Sequence, residues 1–334
     1  MVNASIAMAT TFRRISLAIL EILLAAVLSS ARGAQPILFE SRQLTPTGEY
    51  TFGIEGPAVD ATGTLYVVNY QKQGTIGRLP FGAVKSELFA ELPPGSIGSA
   101  IRFDRDGRMY VADYKMHNVL AFDRGQIEPR IYFHSDQFNQ PNDLTVADDG
   151  TIYASDPSWK RRDGQIWRVA RGRDGSAQGE VMWSERKMGT TNGIDLSPDG
   201  KTLYVGESET RELWAYRLEG AKLVAPRVVK KFDDFSLDGL RTDIDGRLFV
   251  TRILKGTVAL LSPDGKIVRE IPLRAKEPTN LAFGGPDGKT VFVTQRQGGF
   301  IESFRVDRPG REYCLQKAKT SDALCRAREP AAIK

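Results

Sequence analysis

The residues best suited to chemistry occupy one place in a pattern that occurs six times along the sequence. Each copy contains a turn glycine followed by an aromatic residue, and successive turn glycines lie 42 to 50 residues apart. Eight positions before each glycine stands a polar residue with an oxygen in its side chain. These residues are Glu55, Ser99, Asn142, Asn192, Asp238 and Asn280. Together they have the composition of an oxygen-rich metal site.

Carboxylate and amide oxygens favour a hard cation, with Ca²⁺ first and Mg²⁺, Mn²⁺ or Zn²⁺ as alternatives. Glu55 and Asp238 would repel each other in a narrow space unless a cation joined them. A bound divalent ion can polarise a carbonyl group while an adjacent carboxylate takes a proton from water. Asn and Asp are also common where strands start, because their side chains bond the local backbone. We keep that simpler explanation for Ser99 and Asn280.

The elements that must position these residues are short β-strands joined by tight hairpins. The turn glycines are Gly63, Gly107, Gly150, Gly200, Gly246 and Gly288. An Asp-Gly pair or its equivalent gives the backbone dihedral angles of a hairpin, and the aromatic and β-branched residues that follow favour a buried strand. Units of this length are typical of propeller blades. We therefore predict an all-β fold, a six-bladed β-propeller over residues 34–310, closed by pairing PILFESRQL with GFIESFRV.

The propeller hypothesis places the polar residues in a ring, because the inner strand of each blade lines the central channel. An aromatic residue recurs on the second strand of each unit, and we expect it to pack between neighbouring blades. These aromatic residues are Tyr66, Tyr110, Tyr153, Tyr204, Phe249 and Phe292.

The second strand of each hairpin returns to the same face, so the residues at its end could surround the pocket. They are Asn69, Asp113, Asp156, Glu207, Arg252 and Gln295. Candidate substrate-binding residues are Asn142, Gln140, Asp156 and Arg252. Arg252 could orient an anionic or polyhydroxylated ligand, or it could be an ordinary surface arginine. Trp159 and Trp183 could form pocket walls, whereas Trp167 and Trp214 alternate as core residues of strands do.

The N-terminus resembles a secretory signal peptide over residues 1–33. Arg13 and Arg14 precede an apolar run at 15–28, and small residues follow, an arrangement that predicts cleavage after Ala31 or Gly33. We expect a periplasmic or secreted monomer without stable membrane association after cleavage, with an uncleaved anchor as the alternative. The arginine pair leaves both general and twin-arginine export open.

The C-terminal residues 311–334 are predicted to form a short irregular tail. Cys314 and Cys325 are the two cysteines of the sequence, and in an exported protein such a pair favours a disulfide. With two cysteines and two histidines, zinc fingers, cysteine nucleophiles and multi-histidine metal sites are excluded. His117 and His134 are expected at the surface.

The net charge of +5 is spread along the chain. No basic segment with interleaved aromatic residues stands out, which argues against a nucleic-acid partner. The expected partner is a small-molecule substrate.

The segments EGPAVDATGTLYVVN, PNDLTVADDGTIYASDP, TNGIDLSPDGKTLYV, LDGLRTDIDGRLFVTR and PTNLAFGGPDGKTVFVT resemble the senescence marker protein, gluconolactonase and luciferin-regenerating enzyme family. The resemblance implies a six-bladed propeller with a divalent metal in its channel. Glu55, Asn192 and Asp238 match the family's metal ligands, and Asp238 also matches its proposed base. Asn142 matches a residue that binds the ion directly or contacts ion and substrate through water. Gln140 stands where sugar lactonases of the family carry an arginine that contacts substrate hydroxyls, which argues against a gluconolactone-like substrate.

These observations predict an exported, metal-dependent hydrolase of a lactone or related ester, with Asp238 activating water. The same site could hydrolyse a phosphoester. Two further alternatives are a calcium-stabilised binding propeller without activity and a relative of strictosidine synthase.

Overall fold

Short β-strands account for nearly all of the regular structure in the computed structural model, which describes residues 37–317 and 323–325. The chain divides into two units, residues 1–37 and residues 38–334, and all strands belong to the second. The predicted signal segment, residues 1–33, lies outside the described residues. No helix among the described residues is both long and apolar enough to cross a membrane.

Six sheets follow one another along the described chain, and each forms one blade. Strand β1 (Arg42–Gln43) comes first and belongs to the last blade. Blade 1 contains β2 (Tyr50–Val59), β3 (Leu65–Tyr70), β4 (Thr75–Leu79) and β5 (Glu87–Glu91). Blade 2 contains β6 (Gly98–Phe103), β7 (Met109–Asp113), β8 (Asn118–Phe122) and β9 (Arg130–His134). Blade 3 contains β10 (Leu144–Val146), β11 (Ile152–Asp156), β12 (Gln165–Arg171) and β13 (Ala177–Val181).

The second half of the propeller repeats this arrangement. Blade 4 contains β14 (Trp183–Ser184), β15 (Thr191–Leu196), β16 (Thr202–Glu207), β17 (Glu212–Glu219) and β18 (Lys222–Lys231). Blade 5 contains β19 (Leu240–Thr242), β20 (Leu248–Arg252), β21 (Thr257–Leu261) and β22 (Ile267–Pro272). Blade 6 contains β23 (Pro278–Gly284), β24 (Thr290–Gln295) and β25 (Phe300–Arg305). The fold is therefore an all-β six-bladed propeller.

The ring is closed by the N-terminal strand. Strand β1 pairs antiparallel with β25, with Arg42 opposite Ser303 and Gln43 opposite Glu302. This pairing confirms the expected closure and covers an edge that would otherwise be open for pairing with another chain.

The repeated aromatic residues pack between blades, as predicted. Tyr66 of blade 1 contacts Phe103 of blade 2 with ring centroids 5.4 Å apart, and Phe249 of blade 5 meets Phe283 of blade 6 at 5.0 Å. The other four lie in hydrophobic clusters that join their own blade to the next one. An aromatic residue at the same position of the second strand thus contributes to the hydrophobic core between each pair of neighbouring blades.

The prediction of an irregular C-terminal tail was wrong, because helix α1 (Arg311–Lys317) follows the last blade. A turn of 3₁₀ helix at Ala323–Cys325 comes next, and the predicted disulfide between Cys314 and Cys325 is confirmed. Glu312 in the first turn and Lys317 in the last suit the helix dipole. Seven residues are too few to produce a clear helical periodicity in the sequence.

Helix α1 lies across the end of the channel where the inner strands finish. Arg311 Nη2 donates a hydrogen bond to the carbonyl of Val146 in blade 3 (2.8 Å), and Gln316 Nε2 donates to Val59 in blade 1 (2.8 Å). The Tyr313 hydroxyl donates to the carbonyl of Pro286 in blade 6 (2.9 Å). Contacts with three separate blades show that the helix covers this end of the channel.

Candidate functional site

A cavity of about 430 Å³ opens at the other end of the channel, where the inner strands begin. Its lining includes five of the six residues of the predicted ring. They are Glu55, Ser99, Asn142, Asn192 and Asp238. The sixth, Asn280, is buried and donates through Nδ2 to Asp143 Oδ2 at 3.3 Å. The propeller register therefore brings together the oxygen-bearing side chains that the sequence separates.

The inner strands hold these residues through backbone hydrogen bonds. The N–H of Asp238 donates to the carbonyl of Thr251 in the same blade (3.1 Å), and its carbonyl accepts the N–H of Gly193 from blade 4 (3.0 Å). The N–H of Asn142 donates to the carbonyl of Ser155 (2.8 Å). The backbone at these positions is thus fixed before any ligand binds.

Glycines beside the ring residues allow the inner strands to approach one another. A Cβ added at Gly193 would overlap the carbonyl oxygen of Asp238, and one added at Gly239 would overlap the side chain of Asn280. The glycine in the NG and DG contexts is therefore required by close backbone approach. This requirement explains why Asn192 and Asp238 are each followed by glycine.

The two acids of the cavity have raised pKa values. Burial raises the pKa of Glu55 well above its usual range, and the negative charge of Asp238 raises it further. Burial raises the pKa of Asp238 to about 7, although the Asn192 side chain and the charge of Arg296 act in the opposite direction. Neither acid forms an ion pair within the described part of the chain. Two electrostatically coupled acids that form no ion pair with the described residues suit a site that binds a cation.

The amide groups fit the same cation. Asn192 Nδ2 donates to Ser208 Oγ at 2.9 Å, which leaves its amide oxygen as the atom available to a ligand. Within residues 37–317 and 323–325, no group of three or more His, Cys, Asp or Glu side chains is arranged to hold a metal. The candidate set instead combines two carboxylates, Glu55 and Asp238, with two amides, Asn142 and Asn192. Such a set suits Ca²⁺, which accepts neutral oxygen ligands and completes its shell with water.

Asp156 and Gln140 do not line the cavity, contrary to their expected role in substrate binding. Asp156 is fully buried and accepts the backbone N–H groups of Asn139 (2.9 Å) and Gln140 (2.6 Å), together with Trp167 Nε1 (3.1 Å). These bonds offset part of the effect of burial, which raises the pKa of Asp156. The Asp156 carboxylate anchors the loop that leads to Asn142.

The expectation that Arg252 orients a ligand also needs correction, because its side chain is fully buried. Its Nη2 donates to the carbonyl of Asp234 (2.6 Å) and to that residue's carboxylate (2.7 Å). Its guanidinium carbon lies 3.6 Å from the ring centroid of Phe232. Arg252 therefore stabilises the loop before Asp238.

The other strand-end residues share this anchoring role. Asp113 accepts the N–H of Ile97 (3.0 Å), Glu207 accepts the N–H of Gly189 (3.2 Å), and Gln295 donates to the carbonyl of Ala275 (3.4 Å). Asn69 donates to the carbonyl of Gly53 (2.6 Å) and is the one member of this set that also lines the cavity. These residues lie at the ends of the second strands, as predicted. Their side chains form hydrogen bonds with the loops that lead to the inner strands, and most of them do not surround the pocket.

Sequence reasoning missed several cavity residues. Arg296 lines the cavity, where its Nε lies 3.2 Å from Glu277 Oε2 and its guanidinium carbon lies 4.6 Å from the ring centroid of Phe52. Trp159 forms part of the wall, in line with its predicted role, whereas Trp183 does not line the cavity. Arg296 directly follows the strand-end position, and that adjacency was the available signal.

Known proteins share the fold and about a quarter of the aligned residues or less. A gluconolactonase from Zymomonas mobilis is 26% identical over 226 residues, covering 60% of this chain and 61% of that protein. A diisopropyl-fluorophosphatase from Loligo vulgaris is 25% identical over 289 residues, covering 78% and 92%. The structure of a regucalcin from Agrobacterium tumefaciens, described as a calcium-binding protein, superposes with a TM-score of 0.63 at 20% identity, covering 79% of this chain and 95% of that one.

The family comparison covers most of the propeller. The family model described as the SMP-30/Gluconolactonase/LRE-like region matches residues 52–297, a range that contains all four candidate metal ligands. The chain therefore belongs to the SMP-30/Gluconolactonase/LRE-like family.

Proposed function

We propose that this protein is a divalent-metal-dependent hydrolase that opens a lactone or cleaves a related ester. The observation that carries the proposal is the cavity floor, where two acids without an ion pair among the described residues meet two amides, the four side chains coming from four blades. The gluconolactonase relative supports a lactone as the substrate class.

Glu55, Asn142, Asn192 and Asp238 would hold the cation, with Ca²⁺ the first choice. When bound, the cation would offset the two negative charges and supply Lewis-acid polarisation of the substrate carbonyl. The Asp238 carboxylate would accept a proton from the water molecule that attacks the carbonyl carbon. As the ring C–O bond breaks, the same carboxyl group would return that proton to the leaving oxygen.

A phosphoester or phosphofluoridate substrate is the second candidate. The match to the diisopropyl-fluorophosphatase covers 92% of that protein, a larger share than the match to the gluconolactonase. A phosphoryl oxygen can be polarised in the same way as a carbonyl oxygen. Both substrate classes therefore belong in the same assay.

The test is hydrolysis of a lactone panel and a phosphotriester panel by purified protein, followed by pH-stat, with divalent metals removed and then restored. We expect activity only with metal present. Asp238→Asn should lower kcat/KM by about 10²- to 10⁴-fold. Asp264→Asn, at an exposed hairpin turn, is the matched control and should leave kcat/KM unchanged.

Activity without metal, or full activity of Asp238→Asn with metal bound, would contradict the mechanism. If no substrate is hydrolysed but Ca²⁺ raises the melting temperature, the non-catalytic binding propeller becomes the better explanation.

We further propose export to the periplasm or the medium. The disulfide between Cys314 and Cys325 supports this location, since disulfides persist in oxidising compartments. Cell fractionation with immunoblotting should find a protein shortened by about three kilodaltons, the mass of a typical signal peptide, outside the cytoplasm. A full-length product in the cytoplasm would contradict export.

A further inference from the structure

The wall of the cavity differs in character from its floor. Large apolar or aromatic side chains from four blades line it above the four candidate metal ligands. They are Phe52, Ile97, Tyr114, Trp159 and Ile253. Phe52 is 68% exposed and Trp159 is 46% exposed. Exposed rings of this size in a concave site mark a surface that a ligand covers.

Most polar side chains of the wall already have partners within the protein. Asn69 donates to the carbonyls of Gly53 (2.6 Å) and Gly98 (3.1 Å) and accepts the N–H of Gly74 (3.2 Å). Ser208 Oγ donates to the carbonyl of Leu237 at 2.9 Å. These bonds hold the loops together and use the groups that a sugar hydroxyl would need.

Two further hydroxyls of the wall are engaged in the same way. Ser236 Oγ donates to the carbonyl of Ser208 (2.6 Å), and Thr279 Oγ1 donates to the carbonyl of Ile54 (3.1 Å). The charge of Arg296 is paired with Glu277. A sugar lactone carries a hydroxyl on nearly every carbon, and hydroxyls buried without a partner weaken binding.

We propose that the substrate carries an alkyl chain or an aromatic ring beside its reactive carbonyl, and that Phe52 and Trp159 bind this apolar group. The proposal rests on the proposed function and names its substrate class. The Phe52 ring stacks on Arg296, whose own bond to Glu277 holds it in place. The ring therefore offers a pre-positioned apolar face close to the carboxylates of the floor.

The test compares δ-valerolactone, δ-decalactone, dihydrocoumarin and D-glucono-1,5-lactone as substrates of the calcium-loaded protein. We expect kcat/KM to rise with alkyl length by up to about fourfold for each methylene that becomes buried. The aromatic lactone should be preferred over the sugar lactone by at least about 10²-fold. A preference for the sugar lactone would overturn the inference.

Two variants locate the apolar contact. Phe52→Ala and Trp159→Ala should each lower kcat/KM for δ-decalactone by about tenfold or more, mainly through KM, and should lower it less for δ-valerolactone. Trp183→Ala removes an exposed tryptophan outside the cavity and should leave the order of substrates unchanged. Equal losses on the long and the short lactone would contradict binding of the chain by these rings.

A binding measurement separates failure of the inference from failure of the proposed function. Calorimetry with a non-hydrolysable δ-lactam bearing a pentyl chain needs no turnover. If the lactam binds and Trp159→Ala weakens it while no lactone is hydrolysed, the proposed function fails and the apolar site stands. If lactones are hydrolysed but the pentyl chain adds nothing to binding, the apolar site fails alone.

Discussion

Acids are buried toward both ends of the central channel, but they form ion pairs with arginines toward only one of them. At the end that opens into the cavity, Glu55 and Asp238 lie together, and neither forms an ion pair among the described residues. Deeper in the channel, toward helix α1, Asp143 lies 2.6 Å from Arg102 Nη2 and 2.9 Å from Arg241 Nη1, although its charge also raises the pKa of Glu55 and of Asp238. Among the described residues, acids of the channel form ion pairs with arginines at the covered end, whereas Arg296 at the open end pairs with Glu277 and not with Glu55 or Asp238.

Glu312 of helix α1 completes the covered end. Its Oε1 lies 2.8 Å from Arg102 Nε and 3.5 Å from Arg241 Nε, an ion-pair contact without hydrogen-bond geometry. Burial raises the pKa of Asp143 to about 6, although the charge of Arg102 lowers it. These charges are matched within the protein, so this end needs no ligand. At the open end the one cation of the described cavity lining, Arg296, is paired with Glu277, so Glu55 and Asp238 together leave negative charge that an external cation would offset.

Neutralising a carboxylate at the covered end should give the largest change in stability. Asp143→Asn leaves Arg102 and Arg241 buried with one partner fewer, so we expect the free energy of unfolding to fall by about 3 to 5 kcal/mol. Urea unfolding measures the change. Asp264→Asn on the surface is the control and should stay within about 0.5 kcal/mol of wild type. A loss below about 1 kcal/mol would mean that the two arginines do not depend on Asp143.

The disulfide should contribute to closing the covered end without affecting the open one. Replacing both cysteines by serine removes a cross-link between residues 11 apart, and the chain entropy of such a loop corresponds to about 2 to 3 kcal/mol. Calcium affinity measured by calorimetry should not change, because the four candidate ligands lie at the opposite end of the channel from helix α1. A weaker calcium affinity in the serine variant would show that the two ends are coupled.

Calcium should stabilise the protein through the open end. At a free concentration about 100 times Kd, a ligand that binds only the folded state adds about 2.7 kcal/mol. Chemical denaturation with calcium, and then with a chelator, tests this value. The surface control Asp264→Asn should keep the calcium response, whereas Asp238→Ala should lose it. An equal response in both variants would place the ion elsewhere.

Much of the contrast between the two ends could be predicted from sequence. The cavity acids and the charged residues deeper in the channel each recur at a fixed distance from the turn glycine of their blade. Counting eight residues back from the turn glycines finds Glu55 and Asp238, and counting three residues forward from the ring finds Arg102, Asp195 and Arg241. The second count needs nothing beyond the sequence. Pairing Asp143 with arginines 41 and 98 residues away required the folded channel.

Other features could not be predicted, for local physical reasons. The register correctly placed Asp156 and Arg252 at strand ends, but the path of the adjacent loops decides that their side chains point into the protein. Helix α1 is too short to show a period. Arg296 enters the cavity from a loop after β24, where strand alternation no longer applies.

The smallest expected change is a gain in the free energy of unfolding, opposite in sign to the loss expected for Asp143→Asn. It distinguishes the open end of the channel from the covered end most directly. In metal-free protein, Glu55→Gln removes a charge that burial and Asp238 make unfavourable. We expect it to raise the free energy of unfolding at pH 8 by about 1 kcal/mol. A carboxyl group with a folded-state pKa above its unfolded value binds its proton more tightly when folded. The wild type should therefore lose stability as pH rises through the raised pKa values of Glu55 and Asp238, the second of which is about 7. The Glu55→Gln variant should lose less stability over the same rise in pH, because it has one such carboxyl group fewer.

Calcium should reverse which of the two proteins, wild type or Glu55→Gln, is the more stable. Once the ion offsets both charges, the wild type should be the more stable of the two, because the glutamine side chain of the variant supplies a neutral oxygen in place of a charged ligand. Unfolding curves of both proteins at pH 5 and pH 8, with chelator and with calcium, contain the whole test. If Glu55→Gln destabilises the metal-free protein at pH 8, the Glu55 carboxylate has a stabilising cation in the chain beyond its hydrogen bond from the Gly56 N–H, and the two ends of the channel do not differ in the way the structure indicates.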